Sequence, residues 1–247
     1  MLFTLTTLVF TLPALINAAP VARVRAVGAC AAKPTASSLT SDDLVGLGAV
    51  ADCSAASFPD ECRNATQAAP FVDKAFADFG INTAGEKAAL LSLMLFESGG
   101  FAFNVNHFPE PGRPGQGTRN MMNFPFILQY ALDTPAVADQ ATALVGANIT
   151  TPDAVPPETQ TAVRELVLTD EFSFASAAWF YKNSGSNDKC QDIPGLVAGL
   201  QAGTEDGWTN YITQCVGTTA EEDRKAGWQK ALDLFNAMWY VSDLRQP

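Results

Sequence analysis

Apolar residues recur at helical spacing along most of the chain after about residue 67. One such series comprises Phe71, Val72, Ala75, Phe76 and Phe79. Another, near the end of the chain, comprises Trp228, Leu232, Phe235, Met238 and Trp239. Steps of three and four residues place these side chains on one face of a helix, and no long alternating pattern predicts a strand. The sequence therefore predicts a mainly α fold, with about nine helices.

The central helix is predicted between Thr83 and Glu97. Residues 88–96 are apolar except for Ser92, and a helix that is apolar all round is buried. Thr83 and Glu86 form a capping-box pattern at its start. Gly99, directly followed by a second glycine, is a stop signal. The other helices are expected to pack around this one.

Further helix starts are indicated by proline and by capping residues. Pro125, Thr134-Pro135, Pro157 and Thr169 or Asp170 each precede a helical pattern. Shorter helices are predicted near residues 195–201 and 206–214, and a second capping box at 219–222 opens the last helix. The Gly- and Pro-rich segment 112–122 is the one place for a small β-hairpin.

The beginning of the chain predicts export. Residues 2–16 are apolar and uncharged, and Ala18 and Ala19 offer a cleavage site, so residues 1–19 are interpreted as a signal peptide rather than as a membrane anchor. Residues 20–66 are expected to form a linker and a small disulfide-closed segment, and residues 67–247 the main domain. Asn64 and Asn148 lie in Asn-x-Thr glycosylation sequons, which fits a secreted, extracellular protein.

The five cysteines are consistent with an oxidising compartment. Cys53 with Cys62, and Cys190 with Cys215, would close short loops, which leaves Cys30 over. Pairing of Cys30 with Cys53 or Cys62 stays open. No CxxC motif is present and His107 is the single histidine, so no structural metal and no cofactor are expected.

The net charge of −11 narrows the class of partner. It argues against nucleic acid, and no basic run contradicts this. Such acidity suits a cationic ligand or acidic surroundings, but it is also a common solubility device, which is the interpretation favoured here. The protein is expected to be a monomer that does not bind membranes.

Glu97 is the candidate catalytic residue. It lies at the exit of an apolar helix, where desolvation and the negative end of the helix dipole both favour the protonated carboxylic acid. A neutral acid is what cleavage of a glycosidic bond needs to protonate the leaving oxygen.

Three segments, taken in order, resemble the lysozyme-like superfamily. They are Glu97-Ser-Gly-Gly-Phe, the loop 115–124 (GQGTRNMMNF), and the aromatic and alanine-rich stretch 172–181. Lytic transglycosylases, goose-type lysozymes and plant-type chitinases carry similar motifs in this order. The resemblance implies a lysozyme-like helical domain with a small hairpin, such as that of a fungal secreted muramidase, and it implies Glu97 as the general acid.

The resemblance also implies roles for residues of the loop. Gln116 and Asn120 would orient the substrate or a water molecule, although Asn120 stands where those families carry glutamine and Gln116 where the chitinases carry arginine. Arg119 occupies a position that is usually apolar. Tyr181 and His107 are expected to line the cleft.

The second carboxylate is left open. Inverting enzymes hold a base roughly 6.5–9.5 Å from the acid. Glu110, in the loop 107–112, is the first candidate for this base, while Asp170, which also suits an N-cap, and Glu171 are weaker ones.

The sequence therefore predicts a glycoside hydrolase that cleaves β-1,4-linked amino-sugar polymers. Peptidoglycan (a muramidase) is the first choice of substrate, and chitin or chitosan the second. The alternative is a secreted protein without enzymatic activity that binds glycans or acts as an effector, in which Glu97 is structural.

Overall fold

The computed structural model describes residues 38–146 and 151–244, with side chains up to residue 240, and all of them belong to one compact unit. These ranges contain ten α-helices, so the predicted mainly α class is confirmed. The helices are α1 (Ser41–Gly46), α2 (Ala65–Asp78), α3 (Ala84–Glu97), α4 (Phe124–Asp133), α5 (Ala138–Val145), α6 (Pro157–Glu165), α7 (Asp170–Asn183), α8 (Leu196–Gln201), α9 (Glu205–Asn210) and α10 (Glu222–Leu244). The predicted signal peptide, Cys30 and Asn148 lie outside the described residues.

Helix α3 is the buried centre of the molecule. The Thr83 hydroxyl accepts a hydrogen bond from the Glu86 N–H and the Glu86 carboxylate accepts from the Thr83 N–H, so the predicted capping box is present. The helix ends where Gly99 and Gly100 take φ values of 58° and 68°, and the Gly100 N–H bonds back to Leu95. Helices α10, α8 and α7 pack against α3.

The remaining helices form a layer outside this centre. Helix α2 packs on α7, while α4 contacts α5, α6 and α7. Helix α2 begins six residues before Phe71, the first residue of its apolar series, because Asn64 caps it there. The helix continues through Pro70. None of the described helices combines the length and the apolar character that a membrane crossing requires.

The segment 38–66 packs on the helical body. Leu44 of α1 is fully buried, and the N–H of Leu39 donates to the carboxylate of Asp73 in α2. The Val50 N–H donates to the Gly100 carbonyl directly after α3. The boundary expected at residue 66 therefore does not separate two parts of the described structure, because Leu44 of α1 belongs to the common core.

The loop 112–122 forms no strand in the described structure. Its β-pairing consists of two isolated antiparallel bridges, Val105 with Gly117 and Gly117 with Met122. Gly117 allows this close pairing, since a Cβ there would lie 2.7 Å from the Asn104 carbonyl oxygen. The predicted hairpin is thus replaced by a compact loop with single bridges.

Two disulfides close short segments, Cys53–Cys62 and Cys190–Cys215, with Cα atoms 5.8 and 4.8 Å apart. These are the two pairs that the sequence analysis favours. Disulfides of this kind are typical of proteins from an oxidising compartment. The second one joins the turn after α7 to a π-helical turn, Tyr211–Val216, that precedes α10.

Candidate ligand-binding cleft

Glu97, the last residue of α3, lies in a cleft of about 260 Å³ that we call the Glu97 cleft. The end of α3 is fixed by Ser98, whose hydroxyl donates to the Met94 carbonyl and accepts from the Phe101 N–H. The walls come from distant segments: the loop residues Gln116, Asn120, Met121, Met122 and Asn123; Leu93, Phe126 and Phe180 from helices; and Ser186, Val216, Gly217, Thr218 and Arg224.

The Glu97 carboxylate is paired with Arg224, in the first turn of α10. Its Oε1 accepts a hydrogen bond from the guanidinium Nη1 at 2.7 Å. The Arg224 guanidinium also lies 4.0 Å from the centre of the Phe96 ring. The side chains of Glu97 and Arg224 are 24% and 12% exposed. Glu97 is therefore not the lone carboxylic acid in an apolar setting that the sequence predicts, because a guanidinium lies within hydrogen-bonding distance of its carboxylate.

Gln116 and Asn120 both line the Glu97 cleft, as the sequence predicts. The Asn120 side-chain oxygen accepts hydrogen bonds from the hydroxyls of Thr118 and Ser176, at 3.0 and 2.7 Å. Each hydroxyl shares its one proton with a backbone carbonyl, that of Gly117 or Ser173. These hydrogen bonds orient the amide, and its NH₂ group has no partner among the described residues. The Gln116 NH₂ group donates to the Met121 carbonyl, while its Oε1 is buried and unpaired.

The loop that carries these amides is held in a strained conformation. Thr118 and Met121 have φ values of 68° and 51°, and Phe101, just after α3, has 74°. Non-glycine residues in this left-handed region cost about 1–3 kcal/mol each and cluster at functional sites.

Arg119 anchors the loop to the body of the protein, and its side chain is fully buried. Its guanidinium donates to the carbonyl oxygens of Phe101, Phe103 and Glu61, at 3.0, 2.8 and 2.7 Å. Burial lowers the pKa of Arg119 to about 10, with Asp170 opposing that shift, so the guanidinium is charged at neutral pH. An arginine at this position, which is usually apolar in the lysozyme-like families, thus has a structural reason.

Glu110 and His107 lie at a different cavity, of about 510 Å³, lined by Phe58, His107, Glu110 and Pro111. No residue of this cavity lines the Glu97 cleft. His107 Nε2 is 2.7 Å from the carboxylate of Glu61, and its ring stacks on Phe58 with centroids 3.6 Å apart. The structure therefore does not bring the proposed base together with Glu97.

Tyr181 also lies away from the Glu97 cleft. Its side chain is fully buried, because α7 is covered on several sides, and its hydroxyl donates to the Glu86 carboxylate at 3.2 Å. Asp170 pairs with Arg63 at 2.7 Å, and Glu171 lies on an exposed turn of α7. Asn64 is the N-cap of α2.

Arg224 was not predicted as a site residue from the sequence. A cation in the first turn of a helix is unfavourable, because the positive end of the helix dipole lies there. An arginine at that place was therefore the signal that could have singled it out. Among the described residues, no group of three or more His, Cys, Asp or Glu side chains is placed to hold a metal ion.

Comparison with known proteins gives one line of similarity. No protein-family model matches the chain, and no solved structure matches it. A curated protein of Fusarium oxysporum (strain Fo5176), named a bifunctional dioxygenase–epoxy alcohol synthase, is 35% identical over 153 residues, which are 62% of this chain. The chain spans about 11% of the length of that relative.

This similarity overturns the prediction that the chain is a glycoside hydrolase of the lysozyme or muramidase kind. The relative is named for a dioxygenase and an epoxy alcohol synthase, and neither name describes cleavage of a glycosidic bond.

Proposed function

We propose that the chain is a secreted protein that binds amino-sugar glycans in the Glu97 cleft without cleaving them. Glu97 then has a structural and ligand-orienting role through its ion pair with Arg224. The two disulfides support an extracellular setting.

The observation that carries the proposal is a set of unpaired polar groups on residues that line one cleft. Gln116 offers a buried acceptor and Arg224 a buried Nε–H donor, neither of which has a partner in the described structure. Asn120 adds an oriented NH₂ group. Unpaired buried polar groups are costly, so they indicate a ligand or water that completes them.

The chemistry of these groups suits an N-acetylated sugar. An acetamido group presents one carbonyl acceptor and one N–H donor, which match the Asn120 NH₂ group and the Gln116 Oε1. Phe126, Phe180 and Met122 supply apolar surface in the same cleft, and sugar rings present apolar C–H faces as well as hydroxyls. Binding sites commonly combine a few polar groups with such a lining.

The resemblance of the three ordered motifs to the lysozyme-like superfamily supports the same ligand class. We extend it to a lysozyme-like arrangement of the helices and to a polysaccharide partner, peptidoglycan first and chitin or chitosan second. We do not extend it to hydrolysis.

Isothermal titration calorimetry with three ligands tests the proposal: tetra-N-acetylchitotetraose, the glucosamine tetramer, and a soluble peptidoglycan disaccharide unit. Asn120→Asp is the informative variant, because a carboxylate still accepts from Thr118 and Ser176 but removes the NH₂ donor. Leaving a ligand carbonyl without its donor costs about 1–3 kcal/mol, so affinity should fall about 5- to 150-fold. Asn82→Asp, at an exposed turn, is the matched control and should bind as the wild type does.

The same samples, analysed by mass spectrometry after overnight incubation, should return the oligosaccharides intact. Absence of heat for all three ligands at millimolar concentration would contradict the proposal, as would equal affinity of the wild type and Asn120→Asp. A preference among the three ligands assigns the polymer.

The named activities of the Fusarium relative suggest a second candidate, a part in oxygenation chemistry. An iron ion that is held by side chains alone needs a cluster of His or carboxylate ligands, and the described residues offer no group of three or more. Oxygen uptake by the purified chain with and without added ferrous iron, read with an oxygen electrode, tests this candidate directly.

A further inference from the structure

A third cavity, of about 560 Å³, lies where α2, α4 and α7 meet. Five aromatic side chains contribute to its wall: Phe71, Phe79, Tyr130, Phe172 and Trp179. We call it the aromatic groove. It shares no lining residue with the Glu97 cleft, and its volume is within the range of about 300–1,000 Å³ that is common for small-molecule sites.

The rim of the aromatic groove is acidic. Asp78, Asp133 and Glu171 line it together with one cation, Lys74, which gives the lining a formal charge of −2. Lys74 is already engaged, since its ammonium lies 2.6 Å from Asp78 and 3.5 Å from Glu171. No other Lys or Arg side chain is among the lining residues.

Asp133 is the carboxylate that no described cation neutralises. Its Oδ2 accepts a hydrogen bond from the indole N–H of Trp179 at 3.2 Å, which fixes the carboxylate beside an aromatic ring. Asp133 is also the last residue of α4. The negative end of the helix dipole therefore adds to the attraction for a positive charge at this place.

The Tyr130 hydroxyl contributes no charge to the groove. It donates to the Phe172 carbonyl at 2.8 Å, and burial, with the nearby Glu171, raises the pKa of Tyr130 above its ordinary value. The ring of Tyr130 lies 4.9 Å from that of Trp179. Both side chains are only 3% exposed, so the aromatic surface that is open to a ligand is that of the half-buried Phe71, Phe79 and Phe172. Aromatic faces attract ammonium groups through cation–π interaction, and the Asp133 carboxylate adds an ion pair.

We propose that the aromatic groove binds a small organic cation, an amine or quaternary ammonium compound with an apolar body. The ammonium group lies against Asp133, and the apolar body fills the space between Phe71, Phe79 and Phe172. This site is independent of the Glu97 cleft.

Three probes that share a phenylethyl body and differ in charge test the proposal: phenethylamine, 2-phenylethanol and 3-phenylpropionate. Binding to the full chain is measured by calorimetry in low salt and again in 0.5 M NaCl. Phenethylamine should bind with a dissociation constant of about 1 mM or tighter, and more tightly than 2-phenylethanol, while 3-phenylpropionate should bind weakest. Added salt should narrow the difference between phenethylamine and 2-phenylethanol.

Asp133→Asn is the informative variant, since asparagine still accepts the hydrogen bond from Trp179. It should weaken phenethylamine about fivefold, the value of a partly exposed charge pair, and leave 2-phenylethanol unchanged. Asp139→Asn, on the exposed face of α5, removes the same charge outside the groove and should change neither affinity. Ala175→Leu narrows the groove and should weaken both ligands.

Several results would overturn the proposal: equal affinity for the cation and the alcohol, preference for the anion, or binding that Asp133→Asn and Ala175→Leu leave intact. No binding of any probe at millimolar concentration would do so as well.

Discussion

Replacing Arg119 with methionine is the sharpest test of how the loop beside Glu97 is held. Methionine fills much of the same volume but donates no hydrogen bond. The carbonyl oxygen of Phe101 keeps a second donor, the Arg63 N–H at 3.0 Å. The carbonyls of Phe103 and Glu61 lose the one donor that the described structure gives them.

The magnitude follows from these two carbonyls. A buried acceptor left without a partner costs about 1–3 kcal/mol, so the loss lies between about 2 and 6 kcal/mol. Removing a buried guanidinium returns part of its desolvation penalty. We therefore expect a net loss of about 3 kcal/mol, which for a domain of this size lowers the melting temperature by about 10 °C.

Urea unfolding followed by tryptophan fluorescence measures this loss. Arg113→Met, in the same loop but at an exposed side chain, is the matched control and should change the free energy of unfolding by less than about 0.5 kcal/mol. If Arg119→Met were as stable as Arg113→Met, the reasoning that Arg119 anchors the loop would be refuted. An unchanged m-value is required for the comparison.

Three further predictions concern stability. Burial raises the pKa of Asp73 above 3.8, so ionisation of its carboxyl group destabilises the folded state. In urea unfolding, the wild type should therefore lose stability relative to Asp73→Asn as the pH rises from the unfolded-state pKa through the raised folded-state pKa. At higher pH the difference should stay constant. Replacing Cys190 and Cys215 together with serine should lower the free energy of unfolding by about 3 kcal/mol, because a loop 25 residues long is released. A Cβ at Gly85 would lie 1.9 Å from a backbone oxygen of α8, so Gly85→Ala should cost about 1–3 kcal/mol in thermal unfolding, whereas Gly46→Ala, with open space around it, should not destabilise.

Local signals predicted the helices well. The capping box at Thr83 and the glycines after Glu97 depend on neighbours within four residues, so the sequence alone placed both ends of α3. The capping box predicted at residues 219–222 is not formed, since the Thr219 hydroxyl donates to the Glu221 carboxylate and α10 begins only at Glu222.

The candidate site was predicted only in part, for a physical reason. The order of the motifs along the chain predicted that Glu97, Gln116 and Asn120 lie at one site. Arg224 is 127 residues from Glu97, and no local pattern shows that the start of α10 reaches the end of α3. Tyr181 was misplaced because an aromatic helix that is buried on several sides has no single face that the sequence can assign to a cleft.

The ion pair between Glu97 and Arg224 ties the beginning of the last helix to the end of the central one. A ligand in the Glu97 cleft therefore contacts both helices, and its binding energy adds to the free energy that keeps α10 attached. Amide hydrogen exchange in α10 should slow by a factor of about one plus the ratio of ligand concentration to dissociation constant, if exchange requires α10 to detach. Slower amide exchange along α10, far from the cleft, then reports the fraction of protein that has ligand bound.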